Sequence, residues 1–116
     1  MADESLPLVR GTVELLVLKS LSWGPMHGFG ISSWLQTQTT GALAINDSAM
    51  YQVLHRLESR ELVEAAWAVT EFNRRAKYYR LTTAGRRYLT AEIESWLRRS
   101  ATVTSVLTLK AQTTRG

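Results

Sequence analysis

The sequence contains no cysteine and only two prolines among its 116 residues. Without cysteine the chain has no disulfides, no zinc–thiolate site and no thiol nucleophile, which fits a reducing cytoplasm. The longest aliphatic run, residues 15–18, is far shorter than the about 20 residues that span a bilayer. The N-terminus is acidic and no apolar core follows an early basic cluster, so we expect no signal peptide. These absences indicate a cytoplasmic protein without membrane contact.

Patterns typical of enzymes are missing as well. The two histidines, His27 and His55, lie in separate segments without clustered carboxylates beside them. Three glycines between residues 24 and 30 lack the lysine and the preceding strand of a phosphate-binding loop. We therefore expect no enzymatic activity, no metal site and no cofactor.

Positive charge is concentrated in the middle of the chain. The net charge is +4, and residues 50–88 carry eight basic and four acidic side chains, whereas residues 1–49 are net acidic. Such a distribution indicates either a polyanionic partner or a solvated basic surface, and charge alone does not separate the two.

Hydrophobic periodicity predicts three helices in the first half of the chain. They cover residues 6–23, residues 27–39 and a segment from Asn46 or Asp47 to about Arg60. The third segment has apolar residues at helical spacing on one side and polar residues on the other, which is the pattern of a helix that exposes one face. Its apolar residues are Met50, Val53, Leu54 and Leu57.

The period then changes to that of strands. Residues 62–69 and 77–81 are predicted to pair as a hairpin around a polar loop, residues 70–76. No Asn-Gly or Asp-Gly pair fixes the turn, so we expect a mobile tip. We interpret Tyr79 as a core aromatic residue whose hydroxyl is solvated.

A long last helix is predicted over residues 84–106, capped by Thr82 or Thr83. One side of it carries a heptad seam with a single polar step, and nothing later in the chain covers that seam. The seam consists of Leu89, Ile93, Trp96, Ser100, Val103 and Leu107. We expect it to pair with a second copy, because one small core gives little stability alone. The tail, residues 108–116, is expected to be disordered.

Three helices followed by a basic hairpin and a long helix predict a mainly α fold with a small β-hairpin (α+β), a winged helix-turn-helix. The domains are then residues 6–82 for DNA binding and residues 83–107 for dimerisation. A polar helix face fits a major groove about 12 Å wide, and cations on a hairpin suit the adjacent backbone. The predicted DNA-binding residues are Asn46, Ser48, Tyr51, Gln52, His55, Arg56, Asn73, Arg74, Arg75 and Lys77.

Two alternatives remain open from the residues themselves. Arg56 and Arg60 could pair with Glu58 or Glu61 on the helix surface instead of binding phosphate. The cations of the hairpin are harder to explain by pairing, since exposed ion pairs contribute little. At the level of function, the alternative is a winged-helix module that binds protein through its last helix and has no specific DNA target.

The sequence resembles the PadR family of bacterial transcriptional regulators in four segments: residues 8–11, 27–31, 51–58 and 73–82. The short C-terminal part is similar to the compact branch with one C-terminal helix, often encoded beside efflux permeases in acidobacteria. The resemblance implies a homodimeric repressor of a palindromic operator in double-stranded DNA, with the third helix in the major groove, the wing on the backbone and the last helix between subunits.

The resemblance also implies a ligand site in some members, where a tryptophan between the subunits stacks on planar aromatic drugs. Trp96 lies at the matching position, and the implied dimer or ligand residues are Glu14, Leu15, Lys19, Leu89, Ile93, Trp96 and Leu97. Two residues depart from the family pattern. Glu61 replaces a glycine that usually ends the recognition helix, and Ala68 replaces a glycine that often follows the strand tryptophan.

Overall fold

The computed structural model describes residues 10–111 of the chain. The helices are α1 (Arg10–Ser20), α2 (Gly28–Gln38), α3 (Asp47–Ser59) and α4 (Thr83–Leu107), and the strands are β1 (Met26–His27), β2 (Val63–Val69) and β3 (Arg75–Leu81). A short 3₁₀ helix, Leu21–Trp23, follows α1. The predicted α+β class with a winged helix-turn-helix is confirmed. Residues 6–9 of the first predicted helix and residues 112–116 of the predicted disordered tail lie outside the described part.

One hydrophobic core joins all four helices to the sheet. The apolar stripe of α3 is buried as its spacing predicts, and it packs against side chains from α1 and α2. The fully buried residues of largest volume are Leu18, Leu21, Ile31, Leu35, Leu54 and Leu57. Because α3 packs along its whole apolar side, its opposite face is presented to solvent.

The sheet has three strands in the order β1-β3-β2, all antiparallel. Strand β1 was not predicted from the sequence, because two residues carry no detectable periodicity. It pairs Met26 with Tyr79 and His27 with Tyr78. The β2–β3 register runs without interruption from Val63↔Leu81 to Val69↔Arg75. Ala68 therefore lies in a regular ladder opposite Ala76, with no bulge at that position.

Side chains cap three helices at their N-termini. The Asn46 side chain accepts from the backbone N–H of Ala49 at 2.8 Å, and the Thr82 hydroxyl oxygen accepts from the Gly85 N–H at 2.9 Å. These two caps confirm the predicted starts of α3 and α4. The third cap is His27, whose Nδ1 accepts from the Gly30 N–H at 2.8 Å. This histidine therefore has a structural role at the start of α2.

The hairpin tip is more defined than its sequence predicts. The Asn73 N–H donates to the Thr70 carbonyl at 2.9 Å, the Thr70 N–H donates to the Arg74 carbonyl at 2.7 Å, and Asn73 is left-handed with φ 60°. The Thr70 hydroxyl also accepts from the N–H groups of Phe72 and Arg74. A three-residue loop with Asn in the left-handed position therefore closes the turn, and the mobility of the tip stays a prediction.

At the end of α3, Glu61 occupies the position where relatives of this kind usually have glycine. Leu62 N–H donates to the Leu57 carbonyl and Glu61 N–H to the Glu58 carbonyl, which is the hydrogen-bond pattern of a Schellman motif. Glu61 occupies the left-handed position with φ 61°. The helix thus ends as it would with glycine, but a side chain is held in an unfavourable backbone conformation.

Helix α4 begins against this same turn. A Cβ atom at position 85 would collide with the carbonyl oxygen of Leu62, so only glycine permits the approach. The Thr82 hydroxyl donates to the Glu61 carbonyl at 2.7 Å, and the Thr82 N–H donates to the Leu62 carbonyl at 3.1 Å. The end of α3 and the start of α4 are therefore joined directly.

The heptad seam of α4 divides into two parts. Leu89 is only 5% exposed within its own chain, and Ile93 packs against the same core. The prediction that these residues lack an intrachain partner is wrong, because the first half of α4 lies on the domain. The second half is different, since Trp96, Leu97, Val103 and Leu107 are exposed.

Among the described residues, no helix is long and apolar enough to cross a membrane.

We predict that Glu61→Gly stabilises the fold by about 1 kcal/mol, because glycine adopts the left-handed conformation without the steric cost of a Cβ. Thermal and urea unfolding at one fixed protein concentration would measure the change. Ser59→Gly is the matched control, since Ser59 lies inside the last turn of α3, where glycine should destabilise. Equal destabilisation by both substitutions would contradict the prediction.

Candidate nucleic-acid interface

The solvent face of α3 presents four of the predicted DNA-binding residues in one row. Ser48, Tyr51, Gln52 and His55 are all exposed, and their spacing of three, four and seven residues aligns them on one side of the helix. Asn46 lies at the helix start, where its side-chain oxygen is already used as the cap. Donor and acceptor groups of this row can address base edges in a groove.

Arg56 does not belong to that row. Its Nε donates to Glu14 Oε2 at 2.7 Å, and Arg60 Nη1 lies 3.4 Å from Glu14 Oε1. Glu14 itself is only 7% exposed. The interpretation that these arginines pair with Glu58 or Glu61 is wrong, because their partner is 42 and 46 residues away in the sequence. Arg56 therefore holds α3 to α1 in the free protein.

The wing is the hairpin formed by β2 and β3. Its three basic residues that were predicted to contact DNA have different surroundings. Arg74 is exposed at the tip, and no ion pair or ring contact of its side chain occurs within residues 10–111. The guanidinium of Arg75 lies 4.9 Å from the centre of the Trp67 ring. Lys77 Nζ is 3.7 Å from Glu58 Oε1 on α3. Among the described residues only Lys77 of the three has a carboxylate partner, and that pair is exposed, so the expectation that pairing matters little here stays a prediction.

The strand register places Arg75 and Lys77 on the side of the wing that faces α3. Residues on alternate positions share a face, and Val63 and Leu81 of this face are buried in the core. Trp67, Arg75 and Lys77 continue the same face beyond the core. The wing and the exposed row of α3 thus border one continuous surface.

Tyr79 marks the inner limit of this surface. It is buried as expected for a core aromatic residue. Burial raises the pKa of its hydroxyl, and the nearby Lys77 ammonium opposes that shift. The hydroxyl is therefore neutral at physiological pH, and Tyr79 contributes packing beneath the wing.

Sequence reasoning missed two exposed aromatic residues of the hairpin, Trp67 and Phe72. An aromatic residue in a polar loop next to several cations was the available signal for Phe72. Trp67 reads as an ordinary strand residue in the sequence. Only the register, which carries β2 past the edge of the core, shows that its ring is in solvent.

The residues implied for a ligand site are not all brought together. Glu14 is bound by two arginines, and Lys19 Nζ lies 4.8 Å from the centre of the Trp23 ring. Leu15 packs against the core. Trp96 is 38% exposed on the second half of α4, next to the exposed Leu97. Within residues 10–111 no group of three or more metal-ligating side chains occurs.

Comparison with known proteins identifies the family. The model of the transcriptional regulator PadR-like family matches residues 17–91, more than half of the chain. The chain belongs to this family. It is therefore a DNA-binding transcriptional regulator, and PadR-like regulators are transcription factors rather than enzymes. The exposed row of α3 and the basic wing are the surfaces of the fold with suitable chemistry for that activity.

Solved structures of regulators agree with the fold. A PadR family transcriptional regulator from Eggerthella lenta is 29% identical, with a TM-score of 0.74, and covers 87% of this chain and 86% of its own. A transcriptional regulator from Clostridium thermocellum is 26% identical, with a TM-score of 0.74, over 83% of this chain and 90% of that chain. A PadR-like regulator from Bacillus cereus, 24% identical with a TM-score of 0.76 over 87% and 96% of the two chains, shares the fold.

Two further relatives are similar in sequence. Protein X of Lysinibacillus sphaericus is 28% identical over 89 residues, which are 77% of this chain and 82% of that protein. A 37.1 kDa protein of a Streptomyces fradiae transposon is 34% identical over 90 residues, 78% of this chain. The chain matches only 24% of the length of that second protein.

We predict that Arg74→Ala weakens DNA binding equally on the DNA upstream of the protein's own gene and on a random-sequence duplex. The reason is that a phosphate contact carries no sequence information. The slope of log affinity against log salt should fall by about 0.9 for each lost phosphate contact. Fluorescence anisotropy at several salt concentrations measures both quantities.

Two other variants separate a phosphate contact from a general loss of positive charge and from base readout. Arg87→Ala removes an exposed cation from α4 and should leave the salt slope unchanged. Gln52→Ala should reduce binding to the upstream DNA more than to the random duplex, because base readout creates that difference. A salt slope that Arg74→Ala does not alter would exclude Arg74 from phosphate contact.

Proposed function

We propose that this regulator is a homodimeric repressor that binds a two-fold symmetric operator through α3 and the wing. The observation that carries the proposal is the exposed apolar second half of α4. Five large apolar side chains are exposed there, namely Trp96, Leu97, Val103, Val106 and Leu107. Several exposed apolar side chains on one helix are typical of an interaction site. A second copy is the occupant that a heptad seam favours.

The anchoring of α4 supports a dimer with a defined geometry. Leu89 is in the core of its own domain, and Gly85 contacts Leu62 at the end of α3. Helix α4 is about 37 Å long, so its second half extends beyond the domain. Pairing through that half would place two α3 helices at a fixed separation. Half-sites about 34–36 Å apart require such a separation.

Repression follows from the same arrangement if the operator overlaps a promoter. The test is a gel shift on the DNA upstream of the protein's own gene, together with a reporter gene under that DNA. We expect specific retardation and lower reporter expression when the protein is present. Higher expression would indicate an activator, and binding equal to random DNA would favour a protein-interaction module.

We propose further that planar aromatic compounds bind between the subunits at Trp96. Trp96 supports this role because its ring remains partly exposed on the surface that would be shared with the second copy. Glu14 and Lys19 are not part of the proposal, because each already has a partner elsewhere. A ligand at this place would relieve repression only by favouring a different α3 separation, so it must bind more weakly when DNA is present.

We predict that Leu97→Asp combined with Val103→Asp yields monomers, because carboxylates buried without partners cost several kcal/mol in an interface. Sedimentation velocity at tens of micromolar measures the change. Ser105→Asp is the matched control, since two residues along a helix place it on the opposite side from Val103. A wild-type protein that sediments as a monomer at this concentration would exclude the proposed dimer.

The ligand proposal is tested by tryptophan fluorescence with a panel of planar dyes of both charges. We expect quenching of the wild type and much less quenching of Trp96→Phe, which retains Trp23, Trp34 and Trp67. We expect no preference for cationic dyes, because Arg56 and Arg60 neutralise Glu14. Equal quenching of both proteins, or no affinity stronger than about 100 micromolar (roughly −5.5 kcal/mol), would show that Trp96 only packs.

A further inference from the structure

Trp67 is an exposed aromatic residue whose position is explained neither by core packing nor by the exposed row of α3. It lies on β2, is 60% exposed and faces the same side of the hairpin as α3. Its single recorded ring contact within residues 10–111 is with the Arg75 guanidinium, at 4.9 Å from the ring centre. The ring is therefore available at the surface to act on a neighbouring charged group.

The Trp67–Arg75 contact connects the two strands diagonally. Trp67 is directly opposite Lys77, and Arg75 is directly opposite Val69. The Arg75 guanidinium therefore contacts the Trp67 ring across a diagonal pair of the two strands. A guanidinium held over a ring keeps its N–H donors in the guanidinium plane and free to bind another group. The ring therefore orders Arg75 without occupying its hydrogen-bond donors.

The three wing cations differ in this respect. Arg74 is exposed without an ion pair among the described residues, and Lys77 lies 3.7 Å from the carboxylate of Glu58. Of the three, only Arg75 is both held in place and not neutralised by a nearby carboxylate. Ordering the side chain before binding reduces the conformational entropy that a phosphate contact must overcome.

We propose that Trp67 is a positioning residue that holds Arg75 in the orientation that binds a phosphate of the DNA backbone beside the α3 groove. The inference rests on the proposed contact of the wing with DNA. DNA is favoured over a protein partner because Arg75 contacts the ring, Lys77 is opposite Trp67 in the strand register, and Arg74 is exposed at the tip of the same hairpin. Trp67 itself makes no base contact in this proposal and acts through Arg75.

A double-mutant cycle tests whether Trp67 acts through Arg75. The proteins are wild type, Trp67→Leu, Arg75→Ala and the double variant, each titrated with a random-sequence duplex at several salt concentrations. We expect Trp67→Leu to weaken binding about fivefold per wing. Arg75→Ala should weaken binding further and reduce the salt slope by about 0.9 per wing. In the Arg75→Ala background, Trp67→Leu should have no additional effect.

Conservative and matched variants exclude a general effect of losing a tryptophan. Trp67→Tyr retains an aromatic face and should restore most of the affinity that Trp67→Leu loses. Trp23→Leu removes another exposed tryptophan with a cation over its ring, Lys19 Nζ at 4.8 Å, and should leave DNA binding unchanged. Thermal unfolding checks that every variant is folded at the assay temperature.

The outcomes separate this inference from the proposed function. If Arg74→Ala and Arg75→Ala weaken binding but Trp67→Leu does not, the positioning role is overturned and the wing contact stands. An equal loss from Trp67→Leu with and without Arg75 also overturns it, because Trp67 would then act independently. If none of the three changes affinity or salt slope, the wing does not contact DNA, and this inference fails together with the wing contact of the proposed function. A change in sedimentation rather than in DNA affinity would assign Trp67 to a protein contact.

Discussion

The carboxylate of Glu14 is the charge on which the orientation of α3 depends. It is buried between α1 and α3 and is neutralised by Arg56, in the last turn of α3, and by Arg60, which follows the helix directly. Arg60 also lies over the ring of Tyr88 on α4, at 4.8 Å. A carboxylate this far from water is tolerated only with its partners in place, so three helices are held in one relative arrangement. Apolar packing alone would allow α3 to slide or rotate more readily, because it has no direction.

A second connection lies next to the first, at the turn that follows Arg60. The turn after α3 provides carbonyl groups of Glu61 and Leu62 to Thr82, and Gly85 lies directly on Leu62. The start of α4 is thus bound to the end of α3 by one backbone hydrogen bond, one hydrogen bond from the Thr82 hydroxyl, and the close approach of Gly85. Any rotation of α4 about this junction must be transmitted to α3. In a dimer joined through α4, a small change between subunits would therefore alter the separation of the DNA-binding faces.

The periodic parts of the structure were predictable from sequence, and the long-range contacts were not. The stripe of α3, the caps Asn46 and Thr82, and the two hairpin strands follow from local spacing and local hydrogen-bonding chemistry. Strand β1 has only two residues, and its existence depends on β3 being placed beside it. The partner of Arg56 lies 42 residues earlier in the chain, so nearby Glu58 was a reasonable but wrong expectation. The solvent exposure of Trp67 depends on where the core ends, which no local pattern records.

The close approach of Gly85 to Leu62 also bears on how such regulators can be recombined. A C-terminal helix taken from a relative will dock on this domain only if the residue at the contact has no side chain, whatever the rest of the helix contains. The apolar half that extends beyond the domain has no comparable steric requirement. Chimeras that exchange partner specificity are therefore best joined after residue 93, where the helix leaves its own core, and not at the loop before α4.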